Sequence, residues 1–241
     1  MVSEKNILVL IPAFNEEERI ATVIREVREF LPAATILVVN DGSRDRTAAV
    51  SREAGACLIN HPFNMGVGTA LQTGYKYALQ NGYQYVIQLD ADAQHPPSSL
   101  PAFISKLKET EADLILGSRF LTGRKDNSSY PRKVGNQLFA KLLSFLIQER
   151  LTDPTSGYRA LKSTVLQFCV QDLYGFDYPD ADFLLTLHRS GFRIEEIPID
   201  VRPRIGGQSQ HRGLRPVYYM IKMFLSIFII LLRKKTVQKK G

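Results

Sequence analysis

Acidic residues are missing from the end of this chain, cysteine is scarce throughout it, and no apolar run is long enough for a comfortable bilayer span. The two cysteines, Cys57 and Cys169, lie far apart with no ligand-like spacing around either. That excludes a disulfide framework and a zinc site, and it fits a reducing compartment. The first apolar run, Ile7 to Ile11, is followed at once by Pro12 and is too short to serve as the core of a secretory signal. Internal repeats and low-complexity linkers are also lacking. What remains is a chain of 241 residues with 44% apolar content, enough for one good core and an appendage.

Ten of the 31 basic residues lie beyond Asp200 and none of the 24 acidic ones does, so the net charge of +7 comes from the tail and the chain before it is slightly acidic. A basic tail can be a solubility tail, a nucleic-acid arm or a surface for anionic lipid. Its apolar content decides. Val217 to Leu232 is interrupted only by Lys222 and Ser226 and is followed by Arg233, Lys234 and Lys235. As a helix it would be about 24 Å long against a hydrocarbon core of about 30 Å. With Tyr218, Tyr219 and the basic cluster at its flanks, it reads as a helix lying in a membrane interface with its basic end cytoplasmic. A buried or dimer-forming core helix is the other reading. The division expected is therefore a main domain over 1–212 and a basic, apolar, membrane-associated helix and tail over 213–241.

Before that tail, short apolar runs alternate with amphipathic stretches. Ile7–Ile11, Thr35–Val39, Ala56–Ile59, Tyr85–Leu89 and Leu114–Leu116 read as buried strands separated by helix-length segments, the rhythm of a mostly parallel sheet flanked by helices. Ile20, Val23, Ile24, Val27 and Leu31 form a core-facing helical stripe. A second apolar stretch, Leu138 to Ile147, reads as core through residues 138, 142, 145 and 146, with contact to a lipid tail as the other reading.

In open α/β sheets ligands gather at the carboxyl ends of the strands, and here those segments are rich. Pro12-Ala13-Phe14-Asn15-Glu16-Glu17-Glu18 follows the first strand; Asn15 and Glu18 could simply form a capping box. Asn40-Asp41-Gly42-Ser43 follows the second and could be a turn, with Asp41 or Ser43 capping a helix that starts near Arg44. Asp90-Ala91-Asp92-Ala93-Gln94-His95-Pro96-Pro97 follows the fourth. Carboxylates two residues apart at a strand end repel one another unless a cation or hydrogen-bond donors compensate. Oxygen ligands of this kind suit Mg²⁺ or Mn²⁺, which complete their shell with substrate phosphates. His95 is expected to shape the turn before the two prolines and not to bind metal.

These segments, taken in order with Asn64-x-Gly66-x-Gly68-x-Ala70-x-x-x-Gly74 and Gly117-Ser118-Arg119, resemble the inverting family 2 glycosyltransferases of GT-A fold, and among them the dolichyl-phosphate mannose synthase-like, or polyprenyl-phosphate, branch. The resemblance covers residues 5 to 210. It implies that Pro12, Ala13, Asn15, Glu16, Asp41, Gly66, Gly68, Ala70, Asp90 and Ala91 bind a nucleotide-sugar, and that Asp90 and Asp92, assisted by Gln94, hold Mg²⁺ or Mn²⁺ against its diphosphate. It further implies that Arg119, Arg132, Asn136, Arg204 and Ser209 collect the phosphate of a polyprenyl acceptor, a task suited to guanidinium forks. Asp92 and Asp153 would be the catalytic carboxylates, Asp153 as an orienting group first and a general base second, since a phosphate acceptor is already anionic. The branch often carries Asp at the position of Asn40 and Lys at that of Gln210, which bears on nucleobase choice and on Ser209.

The function implied is transfer of a sugar from a UDP- or GDP-sugar to polyprenyl phosphate at the cytoplasmic face of a membrane, with inversion. The short helix leaves room for a small membrane-protein anchor or a second copy of the chain as partner. A transferase acting on a glycan hydroxyl stays open and would need Asp153 as base; a nucleotidyltransferase would release pyrophosphate instead. A nucleic-acid-binding module is disfavoured, because the basic tail is interleaved with an apolar helix.

Overall fold

The computed structural model describes residues 2–121, 130–171, 180–202 and 215–233. Within them lies a seven-stranded sheet of order β3-β2-β1-β4-β6-β5-β7. Its strands are β1 (Ile7–Ala13), β2 (Thr35–Asn40), β3 (Cys57–Asn60), β4 (Tyr85–Gln88), β5 (Leu114–Ser118), β6 (Arg159–Lys162) and β7 (Ile194–Pro198). The pairs β1–β2, β2–β3, β1–β4 and β5–β7 are parallel, whereas β6 runs antiparallel to both β4 and β5. Five of these strands match the apolar runs in the sequence. β6 (Arg-Ala-Leu-Lys) and β7 (Ile-Glu-Glu-Ile-Pro) do not, because each carries charge into the sheet and finds its partners only in the folded chain.

Helices α1 (Ile20–Phe30), α2 (Thr47–Glu53), α3 (Val67–Gln80), α4 (Leu100–Glu109), α5 (Tyr130–Ile147), α6 (Ser163–Cys169), α7 (Ala181–Arg189) and α8 (Arg215–Leu232) cover the sheet, and the core divides into one apolar cluster on each of its faces. The stripe Ile20, Val23, Ile24, Val27 and Leu31 is buried as its spacing predicts. α3 lies close on β1 because Gly74 has no side chain; a Cβ there would come within 2.3 Å of Leu10 Cδ1.

Two helix expectations are corrected. Asn15 does not cap α1, which begins at Ile20; its backbone is left-handed (φ 55°) and its side chain instead accepts the amide of Arg44 at 2.9 Å. Nor do Asp41 and Ser43 cap α2, whose first-turn Thr47 amide donates to Asp45 Oδ1 at 2.9 Å. In α5 the core face is Phe139, Leu143 and Ile147, one position on from the stripe read in the sequence, and Leu138 and Phe145 are exposed. α5 is apolar on more than one face, so spacing alone could not set its rotation.

α8 packs through Met223 and Ile227, with the Phe224 ring 5.2 Å from that of Phe139 and Ser226 Oγ donating to Asp182 Oδ2 at 2.7 Å. Its other face exposes Ile221, Leu225, Phe228 and Leu232, at i, i+4, i+7 and i+11. Among the described residues no helix is long and apolar enough to cross a membrane.

Candidate active site

The strand directions bring the candidate residues to one edge of the sheet. β1, β2, β3 and β4 all end there, and so do β5 and β7, since both run antiparallel to β6. β6 starts at that edge, where Arg159 pairs with Gln88 and Leu116, so the segment leading into it, 153–158, lies beside the ends of β4 and β5. One antiparallel strand thus joins the Asp90–Gln94 turn to the Arg119 segment.

The β4 turn presents two carboxylates in different settings. Asp90 is half-exposed, its side chain retaining 48% of its accessibility, with His95 Nδ1 3.5 Å away. Asp92 accepts the Gln94 amide at 3.0 Å through Oδ1 and Gln94 Nε2 at 2.7 Å through Oδ2, on a turn where Ala93 has φ 61°. Gln94 therefore orients Asp92, and its Oε1 takes no part in those two bonds. His95 is buried and its ring stacks on Tyr158 at 5.2 Å, which in turn lies 4.6 Å from Phe103. Among the described residues no group of three or more His, Cys, Asp or Glu side chains comes together as a metal cage. The donor set that is present, one open carboxylate and one oriented carboxylate, fits Mg²⁺ or Mn²⁺ completed by phosphate oxygens.

Gly157 closes onto that turn. A Cβ at this position would stand 3.2 Å from each carboxylate oxygen of Asp90, while Gln88 Nε2 donates to the Gly157 carbonyl at 3.0 Å. Gly157→Ala should therefore shift Asp90 by a few tenths of an ångström with little effect on the core. The expected result is a roughly tenfold rise in the metal concentration needed for half-maximal activity, because small misplacements of reacting groups carry large rate costs. A metal titration of transfer activity in the variant checks it, and an unchanged midpoint would show that Asp90 is not so placed.

On the other side of Gly157 lies a buried charge network. Asp153 is fully buried; Arg119 Nε and Nη2 donate to its two oxygens at 2.6 and 2.7 Å, and the Arg119 amide adds a bond of 3.1 Å. Arg119 Nη2 also reaches Thr155 Oγ1 at 3.0 Å. Behind them, Glu196 of β7 accepts the amides of Thr152 and Asp153 and the Thr152 hydroxyl at 2.7–3.0 Å. Burial pushes the Glu196 carboxyl up, against the pull of the Thr152 and Asp153 hydrogen bonds. Asn136, expected at the acceptor phosphate, is buried, donating to the Thr152 carbonyl at 3.2 Å and accepting Thr155 Oγ1 at 2.9 Å. It holds the 152–155 loop in place. Of the other acceptor residues, Arg132 falls in the first turn of α5 with its side chain outside the described residues, and Arg204 and Ser209 lie outside them altogether.

At the ends of β1 and β2 the expected donor pocket is reached by fewer side chains than the motifs imply. Asn15 is exposed, Pro12, Glu16 and Gly66 are partly so, and Glu16 pairs with Arg19 at 2.6 Å. Ala13, Ala70 and Ala91 pack in the core, and Gly68 is buried in the first turn of α3, so any part these four play in the pocket would lie in the backbone path they permit. Asp41 is buried as well, and its carboxylate accepts the amides of Met65 and Gly66, each at 2.9 Å. Thr152 and Glu196 carry no signal in the sequence, whereas Thr155 belongs to the segment Asp153–Arg159, which resembles the branch's segment near the acceptor. The adjacent acids of Ile194-Glu-Glu-Ile197 were the nearest hint.

This architecture, a mostly parallel sheet with two carboxylates on the turn at the carboxyl end of a central strand, is the GT-A fold of nucleotide-sugar transferases. It is similar to glucosyl-3-phosphoglycerate synthase from Mycobacterium tuberculosis, crystallised with Mn²⁺, UDP and glucosyl-3-phosphoglycerate, at a TM-score of 0.69 and 21% identity over 98% of this chain and 81% of that one. Residues 8–169 match the family described as Glycosyl transferase family 2, and the chain belongs to that family, in its dolichyl-phosphate mannose synthase-like branch. An undecaprenyl-phosphate mannosyltransferase from Micrococcus luteus is 30% identical over 218 residues, 86% of this chain and 88% of its own length. A polyprenol monophosphomannose synthase from Mycolicibacterium smegmatis is 31% identical over 217 residues, 86% of this chain and 81% of its own.

Proposed function

We propose that this enzyme transfers a sugar from a UDP- or GDP-sugar to a polyprenyl phosphate at the cytoplasmic face of a membrane, inverting the anomeric centre. The observation that carries this reading is the junction at Gly157, where the Asp90–Asp92 turn meets the Arg119–Asp153 pair, a donor side and an acceptor side sharing one edge of the sheet. The names of the relatives support the acceptor class.

Asp90 and Asp92 would hold Mg²⁺ or Mn²⁺, which when bound neutralises charge developing on the departing nucleoside diphosphate. The chain's own groups do the rest. Gln94 fixes the direction of Asp92. Asp153 fixes Arg119, whose guanidinium would meet the acceptor phosphate, with Arg132 and Arg204 as the further arginines that the motifs assign to it. An oxygen of that phosphate attacks the anomeric carbon from the face opposite the diphosphate, so positioning and electrostatics supply most of the acceleration. No base is needed, and Asp153 is poorly suited to be one, with both oxygens committed to Arg119 and no exposed surface. That setting favours a phosphate over a glycan hydroxyl as acceptor.

The exposed stripe Ile221, Leu225, Phe228 and Leu232, ahead of the basic cluster that begins at Arg233, supports a helix lying in the headgroup region of an anionic leaflet. Purified protein with MnCl₂ or MgCl₂, a panel of UDP- and GDP-sugars and a polyprenyl phosphate, with mass spectrometry of the lipid fraction, tests the reaction. A polyprenyl-phosphate monosaccharide is the expected product. Release of nucleoside diphosphate with unmodified lipid across the panel would overturn the acceptor.

A further inference from the structure

Below the expected donor pocket a single histidine ties three elements together. His61, the first residue after β3, continues the β2–β3 ladder by donating its amide to the Asn40 carbonyl at 2.9 Å. Its side chain retains only 8% of its accessibility. Nδ1 lies 2.8 Å from Asp41 Oδ1, and Nε2 lies 3.0 Å from Thr73 Oγ1 on α3. A carboxylate only accepts, so Nδ1 carries a proton toward Asp41, while Nε2 and the Thr73 hydroxyl share the bond to α3. The bonds of Asp41 to the amides of Met65 and Gly66 then hang from this arrangement. Gly66, with φ 92°, is the residue from which α3 starts. Gly42 seals the contact, since a Cβ there would fall 2.4 Å from the Phe63 carbonyl carbon.

We propose that His61 is a positioning residue for the donor nucleotide: by holding Asp41 against α3 it fixes the Met65–Gly66 turn, and with it the Asn64–Gly68 backbone along which the nucleotide is read. The proposal rests on the assignment of the β1–β3 ends as the donor pocket. Without the imidazole, the turn loses its tie to α3 and must be ordered at the moment of binding, a cost that falls on affinity and not on the transfer step.

The test is calorimetric titration of the full chain with UDP and with GDP in MnCl₂, alongside donor kinetics. His61→Ala should raise the Kd of the nucleotide that the wild type binds, and the donor KM, by about tenfold with kcat at saturating donor within about twofold. His61→Asn, whose amide can donate to Asp41 in place of Nδ1, should recover most of that loss, and Thr73→Val should cost about threefold. These two variants keep the question answerable if His61→Ala does not fold. An unchanged Kd in His61→Ala, a loss confined to kcat, or a His61→Asn variant no better than alanine would overturn the inference while leaving the donor pocket standing. A wild type that binds neither nucleotide would overturn the donor reading and this inference with it.

Discussion

Asp153→Ala is expected to lose about 3–5 kcal/mol of stability, a fall of roughly 10 °C in Tm for a chain of this size, together with nearly all transfer activity. The reason is the setting of the pair. The Asp153 carboxylate is fully buried and the Arg119 side chain retains 12% of its accessibility, so removing the acid leaves a guanidinium in a site that water can barely reach. Breaking one half of such a pair costs more than the pair contributes net, because the remaining charge is desolvated without compensation. Arg119→Ala should approach the same loss from the other side. The double variant should then cost little more than either single one, a coupling that differential scanning calorimetry of the four proteins measures. Asp153→Asn keeps the shape and removes the charge, so it should lose Tm and turnover together, as a carboxylate bonded through both oxygens to Arg119 requires. Turnover lost at an unchanged Tm would mean that the pair contributes no stability, and would return Asp153 to the role of a base, with a hydroxyl as acceptor.

This pair also marks where the sequence stops being readable. Apolar runs reveal β1, β2, β4 and β5 because strands covered on both faces need little else, and the stripe on α1 is read correctly for a similar reason. β6 and β7 carry Arg159, Glu195 and Glu196, whose presence in a sheet makes sense only once their partners are known: the Ser156 carbonyl at 2.8 Å from Arg159 Nε, Lys106 at 2.6 Å from Glu195, and the 152–153 loop around Glu196. The same limit applies to the site. The ordered motifs identify the edge of the sheet and the Asp90–Gln94 turn, since their spacing reflects local backbone geometry. They cannot say which polar residues face a ligand and which support the residues that do. Asp41 and Asn136 resemble ligand contacts by type, yet both are buried and hydrogen-bonded within the protein. His61, which no motif contains, stands at the centre of the Asp41 arrangement.

Asp92→Ala should lower kcat/KM by about 10³-fold, the scale seen when a preorganised electrostatic group is removed from the site of charge development. Unlike Asp153, Asp92 lies partly exposed on a surface turn, and the turn's left-handed Ala93 and the backbone bond from Arg202 to the Gln94 carbonyl at 2.9 Å do not depend on the carboxylate. The Tm of the variant should stay within about 2 °C of the wild type, as for a surface substitution. Gln94→Ala should give an intermediate loss of about tenfold, because it frees the Asp92 carboxylate to turn without removing its charge. Steady-state kinetics across a Mn²⁺ series distinguishes the two effects. Added metal should partly rescue Gln94→Ala, in which both carboxylates survive, and should not rescue Asp92→Ala, in which half of the donor set is gone. Wild-type activity that persists in a chelator, together with an active Asp92→Ala, would instead mean that departure of the diphosphate is stabilised by cationic side chains, and the arginines at the end of β5 and beyond would have to be reassigned from the acceptor to the donor.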